Sequence, residues 1–174
     1  MKLKTILLKD NATFPNNPDL PLVLMKNVVD LPESSSEAAE RMESKFIGNN
    51  WTGTWRNGIY GYHHYHSNTH EVLGVCSGSA EVQFGGPDGI SVRLSKGDVA
   101  VLPAGTAHKN LSSDASFLVV GAYPDGMSYD MNTGKEKERP EVVENIKNVP
   151  VPQNDPVFGS DGPLLKEWLP EENH

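Results

Sequence analysis

The chain has 174 residues, of which 37% are apolar and 22% charged, and this length suits one domain with a buried core. Its formal net charge of −8 disfavours nucleic acid as a partner, because the phosphates would be repelled. One cysteine cannot form an internal disulfide, no apolar run is long enough to span a bilayer, and the first apolar stretch is too short for a secretory signal. We therefore expect a cytoplasmic protein without a membrane partner.

The first part of the chain is predicted to be an arm that carries one helix. Residues 1–33 are rich in proline and contain one strand-like stretch, LPLVLMKNVVD. A helix is expected over residues 36–47, because Ser34 stands three residues before Glu37, which is the spacing of a capping box. We expect residues 1–50 to pack on the outside of the unit that follows.

The middle of the chain, residues 51–125, has the pattern of short strands. Apolar residues alternate with polar ones in AEVQF, ISVRL, DVAVLP and SFLVVGAY, and GGPDG at residues 85–89 is typical of a hairpin turn. Short strands at this spacing predict an all-β fold, an antiparallel sandwich or barrel. Its interior is expected to be lined by Leu73, Val75, Val82, Phe84, Val99 and Val101.

The last part, residues 126–174, is charged and then rich in proline, which is too polar and interrupted for core strands. Its scattered apolar residues predict an extended tail that wraps the barrel or a partner subunit. We expect no catalytic residue in it, and one structural domain overall.

Histidines are crowded between the arm and the strands, since four of the six lie in HHYHSNTH, residues 63–70. If residues 59–66 form a strand, alternate side chains share one face. That face carries Tyr60, Tyr62, His64 and His66, whereas His63 points away. Glu71 begins the next predicted strand, which returns its carboxylate to the two imidazoles on the shared face. We expect His70 at the rim or beside the ligands.

A further histidine, His108, follows a tight bend in GDVAVLPAGTAHKN, and an antiparallel fold readily brings this segment beside the first. His64, His66, Glu71 and His108 would then offer three neutral nitrogens and one oxygen to a single ion. Such a set suits divalent transition metals, among them Fe, Mn, Ni and Zn, in preference to the all-oxygen sites of Ca and Mg. The native metal is left open.

These residues follow the spacings G-x5-H-x-H-x4-E-x6-G, from Gly58 to Gly78, and G-x5-P-x-G-x2-H, from Gly97 to His108. Together they resemble the two motifs of the cupin superfamily over about residues 56–122. The family usually has an asparagine three residues after the last histidine, whereas Asn110 comes two residues after it, so that role is not transferred. The HHYH run, the arm and the tail further resemble the small bacterial cupins of the YjlB-like group.

The resemblance implies a jelly-roll barrel with a metal inside its wider mouth, and often a homodimer. We expect a metal-dependent enzyme on a small polar molecule, of the oxygenase or isomerase type, with Glu71 as a ligand or as a base. The alternative is a non-catalytic module that binds a ligand or senses it, with a structural metal. Candidate substrate contacts are Tyr60 and Tyr62, which could equally fill the barrel, and Arg56, which could clamp a carboxylate or be merely exposed.

Overall fold

A computed structural model describes residues 1–169. Its strands are β1 (Lys2–Ile6), β2 (Leu22–Lys26), β3 (Trp51–Asn57), β4 (Glu71–Ser77), β5 (Ser79–Phe84), β6 (Ile90–Ser95), β7 (Val99–Leu102), β8 (His108–Ser113) and β9 (Leu118–Pro124). Its helices are α1 (Ser35–Gly48), α2 (Glu141–Asn148) and α3 (Pro163–Trp168), with a short 3-10 turn at Glu136–Glu138.

The strands form two antiparallel sheets, which confirms the predicted all-β fold. The larger sheet has the order β1-β2-β7-β4-β9-β3, and the smaller has the order β6-β5-β8. The β5–β6 hairpin turns at residues 85–89, as predicted, with Phe84 paired to Ile90. Strands β1 and β2 come from the N-terminal arm, so the arm contributes directly to the larger sheet.

The four central strands of the larger sheet, β2, β7, β4 and β9, are buried on both faces. The inner face of this sheet carries Leu73 and Val75, which pack against Val82 and Phe84 of the smaller sheet to form the barrel interior. Its outer face packs against α1, together with Leu164 and Trp168 of α3. Residues 170–174 of the predicted tail lie outside the described part of the chain.

Two residues expected in the barrel interior, Val99 and Val101, lie instead on the outer face under α1. Strand β7 pairs with β4 so that Leu73 faces Ala100, and it is Ala100 and Leu102 that point into the barrel. The stretch VAVL is apolar throughout and buried on both faces, so alternation could not reveal which residues face inward.

Helix α1 confirms the predicted helix within one residue at each end. The Ser34 side chain accepts a hydrogen bond from the Glu37 backbone N–H at 3.4 Å, and Met42 and Phe46 are buried against the sheet. The helix approaches so closely that a Cβ added at Gly74 of β4 would lie 2.7 Å from Met42. Glycine at this position therefore lets the helix cover the sheet.

The strand predicted over residues 59–66 is wrong. Only two isolated bridges form there, from His64 to His108 and from Tyr65 to Asn132. The backbone preceding them is irregular, because its bonds to β8 are isolated: the Tyr60 carbonyl accepts from Asn110, and the next contact with β8 is the His64–His108 bridge. Within residues 1–169, no helix combines the length and the apolar character needed to cross a membrane.

Candidate metal centre

Three donor residues meet where the two sheets come together. Glu71 is the first residue of β4, His108 is the first residue of β8, and His66 lies in the segment between β3 and β4. The Nε2 atom of His66 is 3.4 Å from Glu71 Oε2, and the Nε2 atom of His108 is 3.3 Å from Glu71 Oε1. One ligand atom from each residue lies within 4.8 Å of the others, and all three side chains are buried.

His64 lies beside this group without being part of it. Its ring centroid is 4.0 Å from that of His108 and 6.2 Å from that of His66. Two backbone hydrogen bonds join His64 and His108 as an antiparallel bridge, at 2.9 and 3.2 Å. The bridge holds the two rings side by side at the cavity, whereas the donor group among the described residues comprises His66, Glu71 and His108, so His64 as a fourth ligand stays a prediction.

The three imidazoles share one orientation, because the Nδ1 of each faces a backbone carbonyl. A carbonyl only accepts, so Nδ1 carries a hydrogen, and Nε2 is the nitrogen left to bind a metal ion or a proton. Such bonds are the usual means by which proteins fix the tautomer and direction of a ligating histidine. The pairs are His64 with Tyr62 (2.9 Å), His66 with Asp130 (2.6 Å) and His108 with Thr106 (3.0 Å).

The electrostatics of the group couple the Glu71 carboxylate to the imidazoles that face it, so a proton and a metal ion would compete for the same place. Burial raises the pKa of Glu71, but His66 and His108 outweigh it and hold that pKa well below its usual range. Burial and the neighbouring His108 lower the pKa of His64 to about 3. Burial also lowers the pKa of His66, yet the adjacent carboxylate raises it overall, so a cation at Glu71 would compete with a proton on this ring.

One atom in the group lacks a partner. Glu71 Oε1 is fully buried and accepts no hydrogen bond from any described residue. Leaving a buried carboxylate oxygen unpaired is costly, by roughly 1–3 kcal/mol or more for a charged group. A bound cation would satisfy this oxygen, so the residues present fit a metal ion.

A cavity of about 260 Å³ opens onto the three donors. Its walls combine the proposed ligands with apolar and aromatic side chains. Trp55, Tyr60, Leu73, Tyr123, Tyr129 and Met131 are among the residues that line it. The Tyr123 hydroxyl accepts a hydrogen bond from Trp55 Nε1 at 2.9 Å, and the Tyr123 ring stacks on Tyr129 at 5.1 Å.

The C-terminal segment, from which we expected no catalytic residue, takes part in this site. The ring of Tyr129 lies 4.8 Å from that of His66, and the Asp130 carbonyl accepts from His66 Nδ1. The Asp130 carboxylate in turn accepts from the Ser67 backbone N–H at 2.7 Å and from the Ser67 hydroxyl. Sequence reasoning missed these residues, since the one visible signal was an aromatic side chain next to an acid in a polar stretch.

The expected substrate contacts are arranged differently from the prediction. Tyr60 and Tyr62 stack on each other at 5.1 Å at the mouth, and they are 51% and 47% exposed instead of facing into the barrel. Tyr60 still lines the cavity. The guanidinium of Arg56 pairs with both oxygens of Glu43 on α1, at 2.6 and 3.3 Å. Arg56 also lines the cavity, so its role as a clamp for a substrate carboxylate stays a prediction.

The remaining polar residues of the motif region lie away from the donors. The ring of His63 packs 5.4 Å from that of Phe14. His70, expected at the rim or beside the ligands, is fully buried; it accepts from the Ala104 backbone N–H at 2.8 Å and donates to the Pro150 carbonyl at 3.0 Å. Asn110 donates to the Ser113 hydroxyl at 3.1 Å.

Residues 55–121 match the family model described as the cupin domain. Over 166 residues the chain is also 43% identical to the uncharacterized protein YjlB of Bacillus subtilis (strain 168), covering 95% of this chain and 96% of that protein. The chain therefore belongs to the cupins, in the YjlB-like group, as its motifs predicted. The two sheets accordingly form a cupin jelly-roll.

Solved structures with similar folds are more distant. A conserved protein with a double-stranded β-helix domain from Klebsiella pneumoniae is 24% identical, with a TM-score of 0.37 over 48% of this chain and 68% of that one. Acireductone dioxygenase from Bacillus anthracis, with a cadmium ion in its active centre, is 15% identical, with a TM-score of 0.42 over 63% and 82%. Similarity at this level carries no argument about what this chain does.

Proposed function

We propose that this cupin binds a divalent transition-metal ion through His64, His66, Glu71 and His108, and that it is a metal-dependent enzyme acting on a small polar molecule. The observation that carries the proposal is Glu71 Oε1, a buried carboxylate oxygen without a partner that faces the Nε2 of His108. Three nitrogens and one oxygen suit Fe, Mn, Ni or Zn. The identity of the ion is part of what has to be measured.

A bound ion of this kind supplies a Lewis acid that polarises a substrate oxygen or lowers the pKa of a water. The protein would hold the ligands and the substrate in position. The backbone carbonyls of Tyr62, Asp130 and Thr106 fix the three rings, and the cavity of about 260 Å³ admits a small molecule beside them. Glu71 would hold the ion or, when released from it, accept a proton from the substrate. An oxygenase or isomerase reaction fits this arrangement best.

The second candidate is a non-catalytic cupin that binds or senses a small ligand through a mainly structural metal. It is favoured by the composition of the cavity. Among the described residues that line it, the proposed ligands are accompanied by no lysine or aspartate and by no further glutamate or histidine that could serve as an acid or base. Ligand screening monitored through the spectrum of the metal separates the two, since an enzyme converts its ligand and a sensor returns it unchanged.

The direct test is elemental analysis of protein purified without a nickel-affinity step. The wild-type chain should contain about one equivalent of metal, and His66→Ala and His108→Ala should lose it while the barrel stays folded. His63→Ala is the matched control, because this histidine belongs to the same run but packs against Phe14. Stoichiometric metal in either ligand variant would contradict the proposal.

A cytoplasmic location and a homodimer also belong to the proposal. The first is supported by the single cysteine, which is buried and free, and the second by the family resemblance. Light scattering on the purified protein measures the mass in solution, and a monomer would contradict the dimer.

A further inference from the structure

The dipeptide Asn57-Gly58 is the one asparagine–glycine pair in the sequence, and it lies where β3 ends. In such a pair the backbone nitrogen of the second residue can attack the side-chain amide of the first, because glycine has no side chain to obstruct the nitrogen and its backbone turns freely. Asparagine is accordingly among the thermally labile residues of proteins. Whether the pair reacts in a folded chain depends on whether the structure holds the two groups apart or together.

The structure holds the two groups of this pair together. The backbone N–H of Gly58 donates a hydrogen bond to the side-chain Oδ1 of Asn57, at 2.8 Å. The amide carbon, Cγ, is bonded to this oxygen, so the same conformation places it beside the nitrogen that would attack it. Groups that are already in near-contact react faster than groups that must first meet.

The surroundings of the pair do not enclose it. Asn57 is exposed, and a Cβ added at Gly58 would meet no atom within 4 Å. Strand β3 is at the edge of the larger sheet, and its last pair is Asn57 with Val119 of β9, so Gly58 already lies outside the ladder. The peptide unit between the two residues can therefore turn toward the side chain at the cost of at most this last pair, and water reaches both residues.

We propose that Asn57 is a site of spontaneous deamidation through a cyclic imide. The Gly58 nitrogen gives its proton to hydroxide and bonds to Cγ of Asn57, the Cγ–Nδ2 bond breaks, and Nδ2 takes up a proton from water and leaves as ammonia. Water then opens the five-membered ring at either of its two carbonyls, which gives aspartate or isoaspartate at position 57. Nothing is oxidised or reduced, and water is the co-reactant.

This modification changes the rim of the metal pocket. Asn57 and Arg56 both line the cavity, and Arg56 is paired with Glu43 on α1. Deamidation replaces a neutral amide by a carboxylate next to this pair, so the rim becomes more negative. Isoaspartate also adds one carbon to the backbone just before the segment that carries Tyr60 and His64. The reaction needs no metal, so the inference is independent of the proposed function.

The test compares the folded wild-type chain with the same chain unfolded in guanidinium chloride, both kept at physiological temperature and mildly alkaline pH. Digestion and mass spectrometry measure the fraction of Asn57 converted, and chromatography separates the aspartate and isoaspartate peptides. The folded chain should react within about tenfold of the unfolded chain, because its groups are already in contact, and should give both products. A folded chain slower than this margin, or one that gives aspartate alone, would overturn the inference.

Gly58→Ala is the matched variant, since the added Cβ fits the fold but obstructs the attacking nitrogen. It should slow the conversion by about tenfold or more and leave thermal stability unchanged. Asn148 is the control within every digest, because it is also exposed but is followed by Val149, and it should stay unconverted over the same period. Equal conversion of Asn57 and Asn148, or a Gly58→Ala chain that reacts as fast as the wild-type chain, would also contradict the proposal.

Discussion

Two regions build the candidate metal centre in different ways. The barrel contributes side-chain donors, with Glu71 at the start of β4 and His108 at the start of β8. The C-terminal segment contributes support through its backbone and one ring, since the Asp130 carbonyl fixes His66 and Tyr129 covers it. The comparison shows that a sequence motif can supply the donor side chains while residues outside the motif set their orientation.

The largest expected effect comes from the barrel. Glu71→Gln keeps the shape of the side chain but removes the charge, so metal affinity should fall by more than about 100-fold, the upper end of the cost of losing an outer partner. The metal-free protein should also be less stable, because His66 and His108 stabilise the charged carboxylate in the folded chain and so lower its pKa. Metal titration and thermal unfolding in chelator measure both quantities. A variant that bound metal normally would remove Glu71 from the site.

The C-terminal segment should have a smaller but measurable effect. Asp130→Ala removes the carboxylate that accepts from both the backbone and the hydroxyl of Ser67, and this loosens the carbonyl that orients His66. We expect metal affinity to fall by about 10- to 100-fold, as is usual for outer-shell partners. Asp130→Asn, which can still accept from the Ser67 N–H, should recover part of the loss.

Glu136→Ala is the control for Asp130→Ala, because Glu136 is an exposed acid in the same segment that makes no contact with the donors. It should bind metal as the wild-type chain does. If Asp130→Ala also bound metal normally, the segment would be a covering for the barrel and not a support for the ligand.

The Glu71→Gln and Asp130→Ala variants test one residue that the sequence could predict and one that it could not. Glu71 and His108 were found because side-chain donors leave a residue pattern at fixed spacing. Asp130 was not, since it supports His66 through a backbone carbonyl, and any residue type has one. Alternation likewise could not show which way the side chains of Val99 and Val101 point, because they lie in a strand buried on both faces.

The irregular segment before His64 illustrates a second limit. We supposed a strand over residues 59–66, but a strand needs a continuous partner, and here separate bridges lead to His108 and Asn132. Tyr60 and Tyr62 consequently lie at the mouth instead of inside the barrel. Local pattern located the site, whereas long-range backbone pairing decided which residues surround it.

His70 joins the two regions and should make stability depend on pH. Burial lowers its pKa to about 4, against 6.5 when unfolded. As pH falls from about 6.5 to 4, the unfolded chain takes up a proton that the folded chain excludes, so stability should decline, by about 2 kcal/mol at pH 5. Urea unfolding of metal-free His70→Gln should show a flatter pH dependence there, and His63→Gln should flatten it less, because His63 is only partly buried and burial lowers its pKa less.

That result depends on His70 bonding to both the barrel and the tail, at the Ala104 N–H and the Pro150 carbonyl, with Trp168 packed 4.7 Å from its ring. A His70→Gln variant with the same slope as the wild-type chain would mean that the imidazole is accessible to protons in the folded state. The tail would then be more loosely attached than the barrel strands it covers.

The smallest effect is expected at Cys76, on the outer face of the barrel. The thiol is fully buried in the cluster beneath α1, and burial raises its pKa to about 11. Because the thiolate is the reactive form, the folded protein should not react with iodoacetamide at neutral pH, although the unfolded chain should. Mass spectrometry measures the labelling. Rapid labelling of the folded protein would show that α1 and α3 leave the sheet readily, and that the outer layer is less stable than the metal-binding interior.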